Sequence, residues 1–296
     1  MTLAVYLPLL LALPLALISC RVTGRGAPGP AALTLAVTAM IAAVSSTWSL
    51  TMLALTMLDD VPPLSALDES PTLELPEPVP GPVALVAGIL LLGGGFRLLT
   101  DVRRRVSTNR GLRAVGEVHD GMVVADWARP MAVAVPGTAR RPGHLLVTTG
   151  ILRLLDPDER RVLFAHERAH LEHRHHLLVA AAAAAAAVNP LLVPVRDAVA
   201  YLVERWADEE AAAQVGDRRL AAKAVARAAL AASGTDSAGA LGIDGGTLVR
   251  RVRALGQATP ALLLRRLVVP VLLGAAFVVI AGIATEAFVE LARAWL

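Results

Sequence analysis

Cysteine and lysine each occur once in this chain, at Cys20 and Lys223. A single thiol excludes an intramolecular disulfide and leaves no thiolate cluster that could hold zinc. Charge is scarce too. Asp, Glu, Lys and Arg make up 18% of the 296 residues, against roughly a quarter in an ordinary soluble domain. Apolar residues reach 55%, more than one buried core needs, so part of the chain must meet another apolar medium. The net charge of +3 is small and rests on arginine. The basic, aromatic-interleaved patch that binds nucleic acid is missing, so no direct nucleic-acid binding is expected.

The apolar excess lies in four runs, 3–20, 31–58, 83–100 and 267–291. A membrane-spanning helix takes roughly 20 mostly apolar residues, and each run is read as a span in the lipid bilayer. The first run has no basic residue ahead of its apolar part, unlike a cleaved secretory signal, so it is read as a retained helix. Arginine gives the orientation. The loop 59–81 has six acidic residues and no basic one, whereas Arg97, Arg103, Arg104, Arg105, Arg110 and Arg113 follow the third run. Basic loops stay in the cytoplasm. The sequence therefore predicts a multi-pass protein of the cell (plasma) membrane, with residues from about 97 to 266 inside.

Within that inner segment, the β-branched runs at 121–137 and 144–149 are bounded by Gly and Pro and predict a small sheet. Asp156, Pro157 and Glu159 form a helix start of the capping-box type. The helix is expected to continue through five clustered histidines. An alanine-rich helix follows, broken at Asn189-Pro190, with a second helix over about 191–215; together they predict a buried or membrane-abutting hairpin. The Gly/Ser-rich stretch 232–247 reads as a linker, and 248–257 as a short amphipathic basic helix.

The chemistry concentrates in "LFAHERAHLEHRHH" (163–176), which holds five of the seven histidines. His166 and His170 are four apart and share one helix face, where two imidazoles can bind one zinc ion. Glu167 is placed to serve as general base toward a zinc-activated water, the HExxH arrangement. HExxH fixes only three positions, so a third ligand must decide. His176 has the metzincin spacing, but that turn needs glycine where this chain has His173, and no methionine follows Met131 for a Met-turn. On a straight helix His176 would ride about 9 Å too far along. In "ERWAD", Glu204 completes a His, His, Glu set, and Asp208 one turn on can orient a ligating imidazole. Glu209 and Glu210 lack that pairing and read as exposed charges. His173, His175 and His176 read as a solvated or headgroup-facing stripe.

With these residues in place, "HLLVTTGILRLLDPDERRVLFAHERAH" and "NPLLVPVRDAVAYLVERWADEEAA" resemble the BlaR/MecR-type membrane metallopeptidases. These are gluzincins in which HExxH is followed by an Asn-Pro helix and ExxxD. The broader HtpX-type membrane peptidases share the ligand logic, and the histidine-rich "LEHRHH" leans toward them. The resemblance covers about 115–257. It implies a mainly α, polytopic membrane protein with four transmembrane helices and a cytoplasmic α+β gluzincin-like zinc peptidase domain. The expected division is 1–100 for three membrane helices, 101–266 for the peptidase domain and 267–296 for the last helix. It implies one Zn2+ per chain on His166, His170 and Glu204, with Glu167 catalytic and Asp208 behind a ligand.

The BlaR/MecR side implies regulated cleavage of a cytoplasmic protein such as a DNA-binding repressor; the HtpX side implies quality control of membrane proteins. A catalytically inactive scaffold is the reading from another class, and the intact Glu167 argues against it. The penicillin-binding sensor of BlaR/MecR transducers does not follow the last run, so β-lactam sensing is not expected.

Overall fold

A computed structural model describes residues 5–24, 26–55, 81–233 and 244–294. Nearly all of the acidic loop, the middle of the 232–247 linker and the start of the first apolar run lie outside the described residues. Three helices come first: α1 (Leu7–Val22), α2 (Pro28–Leu55) and α3 (Gly81–Arg113). Strands β1 (Met122–Ala125), β2 (Ala132–Val135) and β3 (His144–Thr148) follow, then helices α4 (Thr149–Leu154), α5 (Pro157–Glu172) and α6 (His175–Val188). A 3-10 turn (Pro190–Leu192) leads to α7 (Val193–Val215), α8 (Arg218–Ser233), α9 (Asp244–Leu255) and α10 (Arg265–Ala294).

Among the described residues, α2, α3 and the stretch Arg265–Glu286 of α10 are long and apolar enough to cross a bilayer. Their outward faces carry exposed Leu92, Phe96, Leu272 and Val279, as lipid contact requires. The first run forms only the 16-residue α1, about 24 Å at 1.5 Å per residue, packed against α2, α7 and α10. The 33 residues of α3 measure about 50 Å, far more than a hydrocarbon core of about 30 Å. Its arginine-rich end therefore projects beyond the membrane, alongside the sheet.

The sheet is built from the two β-branched runs, in the order β1-β3-β2. β1 runs parallel to β3, with Met122 opposite Leu145, and β2 antiparallel, with Ala134 opposite Leu145. β3 is central and fully buried; β2 keeps one free edge. The helix start at 156 forms as the sequence predicts. Asp156 accepts from the Glu159 N–H at 2.9 Å and Glu159 accepts from the Asp156 N–H at 3.0 Å. Glu159 is fully buried, and Arg227 (2.6 Å) and Lys223 (3.0 Å) of α8 close on its carboxylate, locking α8 onto α5.

One expectation fails in the histidine stretch. The helix does not run through all five histidines: α5 ends at Glu172, Arg174 adopts φ +50°, and α6 starts at His175 in a new direction. A left-handed arginine costs roughly 1 kcal/mol or more, and the packing of α6 holds it there. The alanine-rich α6 then joins α1, α2 and the first half of α7 in one core, with Ala182, Ala185, Ala186, Val195 and Val199 buried beside Leu15 and Leu35. Small residues let these helices approach closely. A Cβ at Gly94 of α3 would sit 3.1 Å from the Val188 carbonyl oxygen.

The tip of the hairpin is thus surrounded by bundle helices. Irregular backbone buried among helices must have its polar groups satisfied by protein. Asn189 does this, accepting from the Leu191 N–H (3.1 Å) and donating to Ser46 Oγ of α2 (3.1 Å). Arg196 and Asp197, just past the tip, neutralise each other at 2.7 Å.

Candidate metal centre

α5 and α7 pack against each other, and the two four-residue spacings face across that contact. His166 Nε2 lies 3.2 Å from His170 Nε2 and 3.6 Å from Glu204 Oε2; His170 Nε2 lies 3.6 Å from Glu204 Oε1. A tetrahedral ion with ligands at about 2.0–2.1 Å has donor atoms about 3.3 Å apart. The three side chains therefore fit one small cation, and they form the described His/Asp/Glu group whose donor atoms all lie within 4.8 Å of one another.

The electrostatics agree. Burial opposes a charge on His166, yet hydrogen bonding to Asp208 and Glu204 wins and raises its pKa to about 10. The site therefore calls for a positive charge at that ring, carried by a proton or by a metal ion. Burial takes His170 down to about 4, so it is a neutral lone-pair donor at pH 7. Burial raises Glu167 to about 7. Its Oε2 accepts the Ala134 N–H at 2.8 Å, which ties the carboxylate to the free edge of β2.

Asp208 Oδ1 lies 3.1 Å from His166 Nδ1, the nitrogen pointing away from the donor triangle. Asp208 is buried, and Arg251 of α9 grips it twice, Nε at 2.8 Å and Nη2 at 2.7 Å. The third nitrogen of the same guanidinium, Nη1, is 3.0 Å from Glu204 Oε2. Sequence reasoning placed Arg251 on an amphipathic helix without giving it a role. The signal that marks it is Leu255, four residues on and 2% exposed: whatever shares that face points inward.

The histidine stripe needs two corrections. His175 is not solvated but 1% exposed, with Nδ1 3.0 Å from His170 Nδ1. His173 stacks on Trp206 with ring centres 4.4 Å apart, and its Nε2 lies 3.7 Å from Glu210. His176 lines the cleft but is not among the donors. Glu209 is no free surface charge either, because Arg218 holds it at 2.5 Å. Two cavities adjoin the centre, and His119, His144 and Tyr201, side chains able to donate to an oxyanion, line neither. The larger of these, about 780 Å³, opens between β2, α6 and the end of α3, with Asp101, Arg104 and Arg105 opposite Glu167 and Glu204. Asp101 directly follows the apolar part of α3.

Residues 121–210, from the first strand through the paired carboxylates, match the family model of peptidase family M48. This stretch is similar to an M48 peptidase domain. A protease HtpX homolog of Thermoplasma acidophilum is 35% identical over 79 residues, covering 27% of this chain and 23% of that protein. The chain thus aligns with less than a quarter of that relative's length. No solved structure matches. Of the two groups that the sequence resembles, the matches fall on the HtpX side. The matched stretch contains His166, Glu167, His170, Glu204 and Asp208 and ends at Glu210; Arg251 approaches it from outside.

Proposed function

We propose that this chain is an integral membrane zinc endopeptidase of the HtpX type, acting at the cytoplasmic membrane surface on membrane proteins. The donor triangle of His166, His170 and Glu204, with Glu167 beside it, carries the reading. Zinc on those three donors would supply the Lewis acid that activates a water and polarises a peptide carbonyl. Glu167 accepts the proton of the attacking water and passes it to the departing amine, so that water is consumed and two chain ends form. Asp208 fixes the His166 ring through Nδ1, and Arg251 holds both carboxylates in place.

A membrane-protein substrate follows from position, since the cleft is walled by α3 and α6, both of which continue into the bundle. Repressor cleavage rested on the BlaR/MecR resemblance and has no structural observation behind it.

Two measurements test the proposal. Full-length protein in detergent should hold about one zinc per chain, lost in His166→Ala and Glu204→Ala and kept in Glu167→Gln and His176→Ala. Glu167→Gln, able to bind substrate but not to cut it, should then trap membrane proteins from native membranes. A trap holding one soluble cytoplasmic protein would overturn the substrate class, and a zinc-free wild type would overturn the enzyme. Orientation is checked in a Cys20→Ser background. A cysteine at position 70 should react with an impermeant thiol reagent from outside, and one at position 240 should not.

A further inference from the structure

Arg205 of α7 is a buried cation whose counterion is missing from the described residues. It is 5% exposed, and its Nη1 donates to the carbonyls of Gly24 (2.8 Å) and Thr23 (3.5 Å) at the end of α1. Its Nε is buried with no hydrogen-bond partner among the described residues. Arginine is almost never buried so fully unless it is paired. The carboxylates around it on α7 are taken: Arg251 holds Glu204 and Asp208, Arg218 holds Glu209, and Glu210 faces His173. Two backbone carbonyls solvate such a charge but do not neutralise it. A second arginine converges on the same turn. Arg266, near the start of α10, has its Nη1 2.7 Å from where a Cβ on Gly24 would sit, so the bare backbone of Gly24 is what gives it room. Arg21 in the last turn of α1 and Arg265 are exposed and add charge of the same sign.

Two long helices fix what can approach this turn. α2 and α10, each long and apolar enough to cross a bilayer, both begin here, and the Ala27 N–H donates to the Ala261 carbonyl at 3.0 Å between their leading segments. Leu262 and Leu264, just ahead of Arg265 and Arg266, are 54% and 66% exposed, and Val268 and Val269 just beyond are exposed as well. Guanidinium groups bind phosphate through paired N–H donors, and basic pockets between membrane helices take lipid headgroups. A phospholipid uses both features, its phosphate meeting the arginines and its acyl chains covering the leucines and valines. A free phosphate ion would leave the apolar half bare.

We infer that Arg205 and Arg266 hold the phosphate of an anionic phospholipid at the turn joining α1 to α2. Arg205 directly follows Glu204 in the chain, so the bound lipid braces α7 one residue from the donor triangle. The inference rests on the membrane reading alone, and its test needs neither zinc nor cleavage.

Full-length protein in detergent is mixed with equal amounts of phosphatidylglycerol and phosphatidylcholine of the same acyl chains, and retained lipid is counted by native mass spectrometry. Each arginine facing an anionic lipid contributes about fivefold in affinity, so wild type should keep about 20-fold more phosphatidylglycerol than phosphatidylcholine. Arg205→Gln and Arg266→Gln should each lower that preference about fivefold. Glutamine at 205 can still donate to the Gly24 carbonyl, so the loss there reads the charge. If Arg205→Gln elutes as aggregate, Arg266→Gln alone decides. Arg140→Gln, at an exposed position beyond β2, should keep the wild-type preference. Equal retention of the two lipids, an unchanged preference in Arg266→Gln, or an equal fall in Arg140→Gln overturns the inference. Inorganic phosphate in large excess should leave the retained phosphatidylglycerol in place. Its displacement would make the free ion the ligand and overturn the lipid.

Discussion

Replacing Asp208 by asparagine changes almost no volume, yet it strikes the link between α7 and the His166 ring. The carboxylate lies 3.1 Å behind His166 Nδ1 and is buried. Its negative charge is one of the two that raise His166 to about 10, the other belonging to Glu204. Loss of a partner behind a metal-binding histidine costs 10–100-fold in affinity or activity, or about 1.4–2.7 kcal/mol.

Two features put this site near the upper end of that range. An asparagine can present its NH2 to the ring nitrogen and select the wrong tautomer. Arg251 also loses its bidentate partner and is left with Glu204 alone, 3.0 Å away, where it competes for a carboxylate that the metal needs. The assay is zinc competition with a calibrated fluorescent chelator, on full-length protein in detergent. The expected result is roughly 100-fold weaker zinc binding in Asp208→Asn. Partial recovery is expected in Asp208→Asn/Arg251→Gln, where the competing charge has gone. Zinc binding within twofold of wild type in the single variant would refute the role assigned to Asp208.

Three further outcomes follow from the geometry. Glu167 must be ionised to accept a proton and burial raises it to about 7, so the cleavage rate should fall as pH drops through the neutral range; zinc nearby moves that limb to lower pH, and a rate flat from pH 8 to 4 contradicts the assignment. His175→Ala removes the partner of His170 Nδ1 and should weaken zinc about tenfold, whereas His176→Ala should bind like wild type in the same competition assay. Asn189→Leu leaves the Leu191 N–H and Ser46 Oγ without their partner and should lower stability by about 1–3 kcal/mol, read as a lower melting temperature in detergent with zinc still bound.

How much of this was legible in the sequence depended on the range of the interaction. The i,i+4 spacings of His166 with His170 and of Glu204 with Asp208 are local, and helix geometry alone puts each pair on one face. The start of α5 was legible for the same reason, because its cap and its reciprocal partner are three residues apart. The turn at Arg174 was not. No glycine marks it, and the left-handed residue is held by how α6 packs against α2, α3 and α7. His175 looked like one of a solvated stripe because its burial depends on Trp206, 31 positions away, whose ring centre lies 4.7 Å from its own. Arg251 reaches Asp208 across 43 residues of chain, and only the docking of α9 brings it there. The hairpin was expected from the Asn-Pro break, but its packing depended on Ser46 and Gly94, on helices separated from it by the sheet and α5.

A cut that frees a soluble enzyme from its anchor is hard to draw in this chain. α7 is one unbroken helix: its first half is embedded among α1 and α2, and from its middle onward it carries Glu204 and Asp208. It works as a lever whose pivot is the bundle core and whose load is one corner of the donor triangle. Trimming the chain to 101–266 would strand the alanine face of α6 in water and release the pivot, so such a fragment is expected to aggregate or to lose its metal. In the intact protein the coupling runs the other way as well. A thinner or stiffer bilayer that shifts α2 against α10 would move Glu204 relative to His166 by the same rigid arm, and reconstitution in lipids of graded chain length would show it as a graded change in zinc affinity.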